Sequence, residues 1–123
     1  MLGVQLYTLR DYLDGEENGR MTAKRLKTLG CNCVQLFHGD EALEKMCDIF
    51  SSEGFNIIGT LSRLDKLESN PDLFDICKKY GLKDIGISSS AVTDEEATDV
   101  IVRGNSLADK AIAHGLTFSY HNH

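Results

Sequence analysis

The sequence predicts an α/β protein, the N-terminal portion of a (β/α)8 TIM barrel, with about five parallel strands and four helices in a single domain over residues 1–123. Short apolar runs alternate with longer helical patterns in a unit of roughly 25–30 residues, the rhythm of parallel strands joined by helical crossovers. Within most strands aliphatic residues alternate with polar, small or aromatic ones, whereas strands covered by helices on both faces read as continuous apolar runs. No Gly-x-Gly-x-x-Gly run and no P-loop occurs, so nothing supports the nucleotide sites of a doubly wound sheet. A flavodoxin-like doubly wound sheet, natural at this length, is the alternative.

Taken in order, Leu2–Leu9 reads as the first strand, followed by a charged, glycine-containing loop over Asp11–Gly19 and a helix from about Arg20 to Leu29. Gly30 stands where a left-handed C-terminal residue belongs. Cys33–Phe37 is the second strand. Asp40 can cap a helix over about Glu41–Ser52, whose stripe is Ala42, Leu43, Met46, Cys47, Ile49 and Phe50, and Gly54 ends it. Phe55–Thr60 is the third strand, the one strand apolar on both sides, at Ile57-Ile58. Asn70 caps a third helix with Pro71 at its first position, and Gly81 closes it. Asp84–Ser88 is the fourth strand. Thr93-Asp94-Glu95-Glu96 is a capping box that opens the longest helix, which stops at Gly115. Leu116–His121 is the fifth strand.

The alternation sets two faces apart. Val4, Leu6, Val34, Leu36, Ile85, Ile87, Leu116, Phe118 and Tyr120 form an aliphatic-aromatic face suited to helices. Gln5, Tyr7, Gln35, Phe37, Gly86, Ser88, Thr117, Ser119 and His121 form a second face that suits a barrel interior near its functional end. A full barrel takes about 250 residues, so five strands leave this inner face uncovered and two edges unpaired.

Composition narrows the function. Hydrophobic residues make up 41% and charged residues 26%, as in soluble globular proteins. A net charge of −6 argues against nucleic acid, and anionic ligands then need a local positive site or a metal. No apolar run approaches the ~20 residues that span a bilayer, and Met1-Leu2-Gly3-Val4 lacks the pattern of a signal peptide. The expectation is a cytoplasmic protein without membrane partners. Cys31, Cys33, Cys47 and Cys77 lack zinc-ribbon spacing and read as reduced, buried small hydrophobes.

The chain ends on Tyr120-His121-Asn122-His123, a polar run with two metal-capable imidazoles at the end of a strand, where barrels carry their chemistry. Together with Leu2–Asp11, Leu29-Gly30, Val34-Gln35-Leu36, Gly59-Thr60 and Gly115–His123, it resembles the sugar phosphate isomerase/epimerase family of xylose isomerase-like TIM barrels. The resemblance keeps order and spacing along the whole chain and covers about the N-terminal half of a typical member. It implies isomerase or epimerase chemistry on a small sugar or sugar phosphate. Proton transfer next to a carbonyl proceeds through an enediolate that a divalent metal (Mn, Mg, Co or Zn) stabilises.

Relatives often carry Glu-Asn-His at the end of the fifth strand, the Glu being a metal ligand. The resemblance therefore places His121 in the ligand's position and Asn122 and His123 beside the substrate. Relatives usually read Gly-Thr-His after the third strand; here Gly59-Thr60-Leu61 stands, and leucine can neither donate a hydrogen bond nor move a proton. Thr60, Tyr7, Arg10, Gln35 and His38 complete the candidate lining. Each has a plainer alternative. Tyr7 can be a barrel-core aromatic, Arg10 a solvated cation, Gln35 a partner of Gln5, His38 an inert loop histidine, and His121 and His123 exposed terminal residues. His114, in the last turn of the long helix, reads as structural.

The remaining metal ligands of the family lie on later strands. Activity is therefore expected of the complete barrel, with the chain alone inactive and its metal expected only in that barrel. The alternatives are a non-catalytic half-barrel that self-associates through its edges and inner face, as a homodimer or larger oligomer, and a small α/β binding module.

Overall fold

The computed structural model describes residues 1–122. Strands β1 (Gly3–Gln5), β2 (Cys33–Leu36), β3 (Asn56–Arg63), β4 (Asp84–Ser89) and β5 (Thr117–Asn122) form one sheet in which every neighbouring pair is parallel. Their spatial order is β1-β2-β3-β4-β5, the order of the chain. A doubly wound sheet reverses its strand order at a switch point; the steady progression here is that of a barrel wall. Helices α1 (Gly15–Thr28), α2 (Ala42–Ser52), α3 (Leu64–Glu68), α4 (Leu73–Tyr80) and α5 (Asp94–Ala113) form the crossovers. α1 packs on α2, α2 on α4, and α5 on β4 and β5.

The core lies between the sheet and this helical layer. Val34, Leu36, Ile85 and Ile87 meet Leu43, Cys47, Phe50, Leu73 and Cys77, all buried. The helices begin and end for local reasons. Thr93 Oγ1 accepts the Glu96 amide at 3.2 Å while the Glu96 carboxylate accepts the Thr93 amide at 3.1 Å, a reciprocal cap. Asp40 accepts the Ala42 amide at 3.1 Å and Asn70 accepts the Asp72 amide at 3.2 Å, local turns just ahead of two helices. The capping positions themselves are Glu41 for α2 and Asp72 for α4, not the expected Asp40 and Asn70, and α4 starts at Leu73 rather than at Pro71. Gly81 ends α4 at φ 70°, a left-handed turn that residues with a Cβ rarely adopt.

Four other elements differ from the sequence expectation. β1 is three residues, and Leu6–Tyr12 turns into a 3₁₀ helix rather than continuing as a strand to Leu9. α1 starts at Gly15, not near Arg20, because Gly19 is no breaker: it lies buried, and a Cβ there would stand 3.1 Å from Ile49 Cδ1. Its missing side chain lets α1 approach α2. β3 runs on to Arg63, and the extra helix α3 follows at once, anchored by buried Leu64 and Leu67. Among the described residues the α-helices are therefore five, where about four were expected.

The β2–β3 pairing holds an irregularity that governs which side chains face where. Val34 pairs with Ile57, but Gln35 pairs with Gly59, so Ile58 is skipped. Such a bulge flips the parity of everything beyond it. Thr60 then aligns with Leu36 and Ile85 on the helix side, and Leu61 with Gly86 on the other.

Candidate active site

The inner face of the sheet, at the C-terminal ends of the strands, holds a cavity of about 640 Å³. β1 brings Gln5, with Tyr7 just beyond it; β2 brings Gln35, followed by Phe37; β3 brings Leu61 and Arg63; β4 brings Ser88; β5 brings His121. Lys66 reaches in from α3. The wall is built in two register rows: Gln5 and Gln35 are partners in one, and Arg63, Ser88 and His121 form another further along the strands, since Gln35 aligns with Gly59 of β3. Tyr7 and Phe37 meet edge to face at 5.5 Å and give the cavity an aromatic side. Deeper along the same face, the Asp84 carboxylate accepts hydrogen bonds from Thr117 Oγ1 at 2.6 Å and Ser119 Oγ at 2.7 Å, which ties β4 to β5.

Of the residues singled out from sequence, the structure brings Tyr7, Gln35 and His121 together on this lining. The others stand elsewhere. Arg10 folds back, its guanidinium 4.6 Å from the Tyr7 ring centre and its Nη1 donating to the Tyr7 carbonyl at 3.1 Å. It acts on the lining only through Tyr7. Thr60 is fully buried on the helix side, and its hydroxyl donates to the His38 carbonyl at 2.5 Å. Its expected place on the lining is corrected by the bulge before it. Asn122 pairs in register with Ser89, on the face opposite to His121. His123 lies outside the described residues.

His38 is half-buried behind the lining, its ring 4.1 Å from that of Phe37, and its Nδ1 is buried with no hydrogen-bond partner among the described residues. Burial pushes its pKa down; the nearby Asp40 works against that shift and Lys66 works with it. Lys66 in turn donates to Asp40 at 2.9 Å, and that bond holds the Asp40 carboxyl below its ordinary value. His114 does take the structural role expected, with Nδ1 at 2.7 Å from the Lys110 carbonyl and its ring stacked on Phe74.

Sequence reasoning missed Arg63 and Lys66. Strict alternation counted from Ile57 would turn Arg63 toward the helices; the bulge turns it inward. Lys66 could be placed only once α3 was known. The signal available was the Arg63–Lys66 spacing just past a strand, which alone is a solvated turn as often as a site.

A divalent metal needs several convergent ligands. Among the described residues no three His, Cys, Asp or Glu side chains gather closely enough to hold one, and His121 is the single such side chain on the cavity lining. The described residues therefore do not by themselves fit a metal centre. No helix among them is long and apolar enough to cross a membrane.

A parallel sheet wound in chain order is part of the wall of a (β/α)8 barrel, and its polar-aromatic cavity lies at the C-terminal strand ends, the end where such barrels carry their sites. Comparison with known proteins agrees on the fold. No family model and no curated protein matches the chain. Among solved structures it is similar to the sugar phosphate isomerase/epimerase of Parabacteroides distasonis ATCC 8503, at 21% identity and a TM-score of 0.69, over 99% of this chain and 54% of that one. The chain thus spans about half the length of that protein, and at this identity the likeness establishes the fold.

Proposed function

We propose that this chain is the N-terminal part of a sugar isomerase or epimerase barrel, and that the inner cavity receives a small sugar or sugar phosphate. The observation that carries it is the lining itself. Two amides, from Gln5 and Gln35, offer donors and acceptors to sugar hydroxyls, while the Tyr7 and Phe37 rings offer apolar surface to a sugar's C–H face. The fold likeness to a sugar phosphate isomerase/epimerase supports the assignment.

Proton transfer next to a carbonyl needs a proton-moving group on each side of the reacting carbons and a stabiliser for the oxyanion. Among the described residues the lining supplies one imidazole, His121, and no carboxylate. In a metal-dependent relative the metal polarises the carbonyl. Here the chain's own residues bind and orient the sugar, and the 123-residue chain alone does not turn it over. The test is solvent-deuterium uptake next to the carbonyl, with aldose–ketose interconversion, in the presence of Mn²⁺, Mg²⁺ or Co²⁺. Neither is expected; robust turnover by the homogeneous chain would overturn the reading of an incomplete site.

Self-association is favoured by a separate observation. β1 and β5 are unpaired on their outer edges, and Ile101, Val102 and Ile112 of α5 are exposed. Sedimentation is expected to show a dimer or larger species; a strictly monomeric, cooperatively folding chain would count against it.

A further inference from the structure

We propose that Arg63 and Lys66 form an anion subsite at the edge of the inner cavity, which takes a phosphate or carboxylate group carried by the sugar. This rests on the cavity being a sugar site and adds the residues that separate charged from neutral sugars. The chain has 19 acidic residues against 13 basic ones and a net charge of −6. Yet the charged side chains lining the cavity are Arg63 and Lys66, and no carboxylate joins them. Their carboxylate partners, Asp65 and Asp40, stand off this lining, so the charge turned toward the cavity is positive and favours a negatively charged ligand.

The geometry fits the task. Arg63 is the last residue of β3 and Lys66 sits in α3 immediately after it, so one corner of the backbone presents both cations. Arg63 and its register partner Ser88 line a second cavity as well, of about 510 Å³ between the ends of β3 and β4, to which Ser89 and Ser90 also contribute. Leu64, Asp65, Val100 and Arg103 complete that second lining, so an anionic group bound at Arg63 can extend out of the sugar cavity along its serine side, toward Ser88, Ser89 and Ser90.

Both cations have resting partners. Arg63 meets Asp65 through Nε at 3.0 Å and Nη2 at 3.1 Å, and Lys66 meets Asp40 at 2.9 Å. The Arg63 side chain is 72% exposed, and pairs so exposed are held weakly. Two of the five guanidinium donors serve Asp65, so a tetrahedral or planar anion can be added or exchanged at little cost. Arg103, also beside the second cavity, differs: Glu68 and Asp99 occupy Nε, Nη1 and Nη2 together.

The test measures the affinity of the full chain for fructose, fructose 6-phosphate, glucuronate and inorganic phosphate, at low and high salt, for the native chain, Arg63→Lys and the double variant Arg63→Gln/Lys66→Gln. The native chain is expected to bind fructose 6-phosphate about tenfold more tightly than fructose, as charge-assisted hydrogen bonds imply. High salt and the double variant should both erase that preference, with circular dichroism showing the variant folded. If the double variant fails to fold, Arg63→Lys decides, and it should keep a reduced preference. A matching gain for glucuronate identifies a general anion subsite; a gain for phosphate compounds only identifies a phosphate subsite. Equal affinity for charged and neutral sugars, a preference that the folded double variant keeps, or one that Arg63→Lys leaves undiminished overturns the proposal. If fructose still binds in the cavity, only the subsite falls; if no sugar binds, the sugar site falls with it.

Discussion

Replacing Thr60 by valine tests the strand register that decides which residues form the site. Thr60 is fully buried, and its hydroxyl donates to the His38 carbonyl at 2.5 Å, pinning the loop after β2 to β3. Valine keeps the branched shape, so the change is chiefly the loss of that hydrogen bond and of the partner of a carbonyl. Such a loss costs about 1–3 kcal/mol. For 123 residues the usual unfolding entropy comes to about 0.26 kcal/mol/K, so the midpoint should fall by about 4–12 °C. Thr60→Ser keeps the hydroxyl and should lose only the packing of one methyl, about 1 kcal/mol. Thermal unfolding followed by circular dichroism reads both, and sugar affinity of the folded variants should be unchanged. An unaltered midpoint in Thr60→Val combined with weakened sugar binding would refute the reasoning, because it would turn Thr60 to the inner face and remove the bulge.

Other expectations follow from the same structure. Gly59→Ala should destabilise by about 1–3 kcal/mol in urea titration, since a Cβ there would lie 2.5 Å from the Asp84 carbonyl oxygen on the paired strand. His38, whose pKa burial lowers from the ordinary 6.5, stays neutral in the fold while the unfolded chain takes up a proton, so its contribution is present above about pH 6.5 and is lost as pH falls below that value. The slope of stability against pH just below 6.5 should therefore be shallower in His38→Gln than in the native chain. Burial pushes the Cys47 thiol up to about 12 and the Cys77 thiol to about 11, so neither should be alkylated by iodoacetamide near neutral pH until the chain is unfolded.

Much of the fold was legible because local signals and the burial pattern agree. The Thr93–Glu96 box opens α5 as expected, Gly81 closes α4, and the alternation of Val34, Gln35 and Leu36 put the glutamine on the barrel side. What failed to show has physical causes. Leu6–Leu9 has the alternation of a strand, but only Gly3–Gln5 pair with β2, and the chain coils as soon as it leaves that ladder. α3 is a single turn and a half, too short for a helical period to stand out. At the site, one skipped residue, Ile58, turned Thr60 away and Leu61 and Arg63 in; no composition rule marks a bulge. Gln35 and His121 were legible because each lies on a strand where simple alternation holds, whereas Tyr7 reaches the lining from the 3₁₀ turn just past β1, not from the strand that was expected there.

The central claim is that the inner face at the C-terminal strand ends is a sugar site. Residue-resolved amide shift mapping of the chain titrated with unphosphorylated fructose tests it most directly. Shifts should concentrate at Gln5, Tyr7, Gln35, Phe37, Leu61, Ser88 and His121, which converge from all five strands. Shifts confined to the outer helices, such as the groove along α1 at Met21 and Lys24, or none at millimolar sugar, would contradict the account.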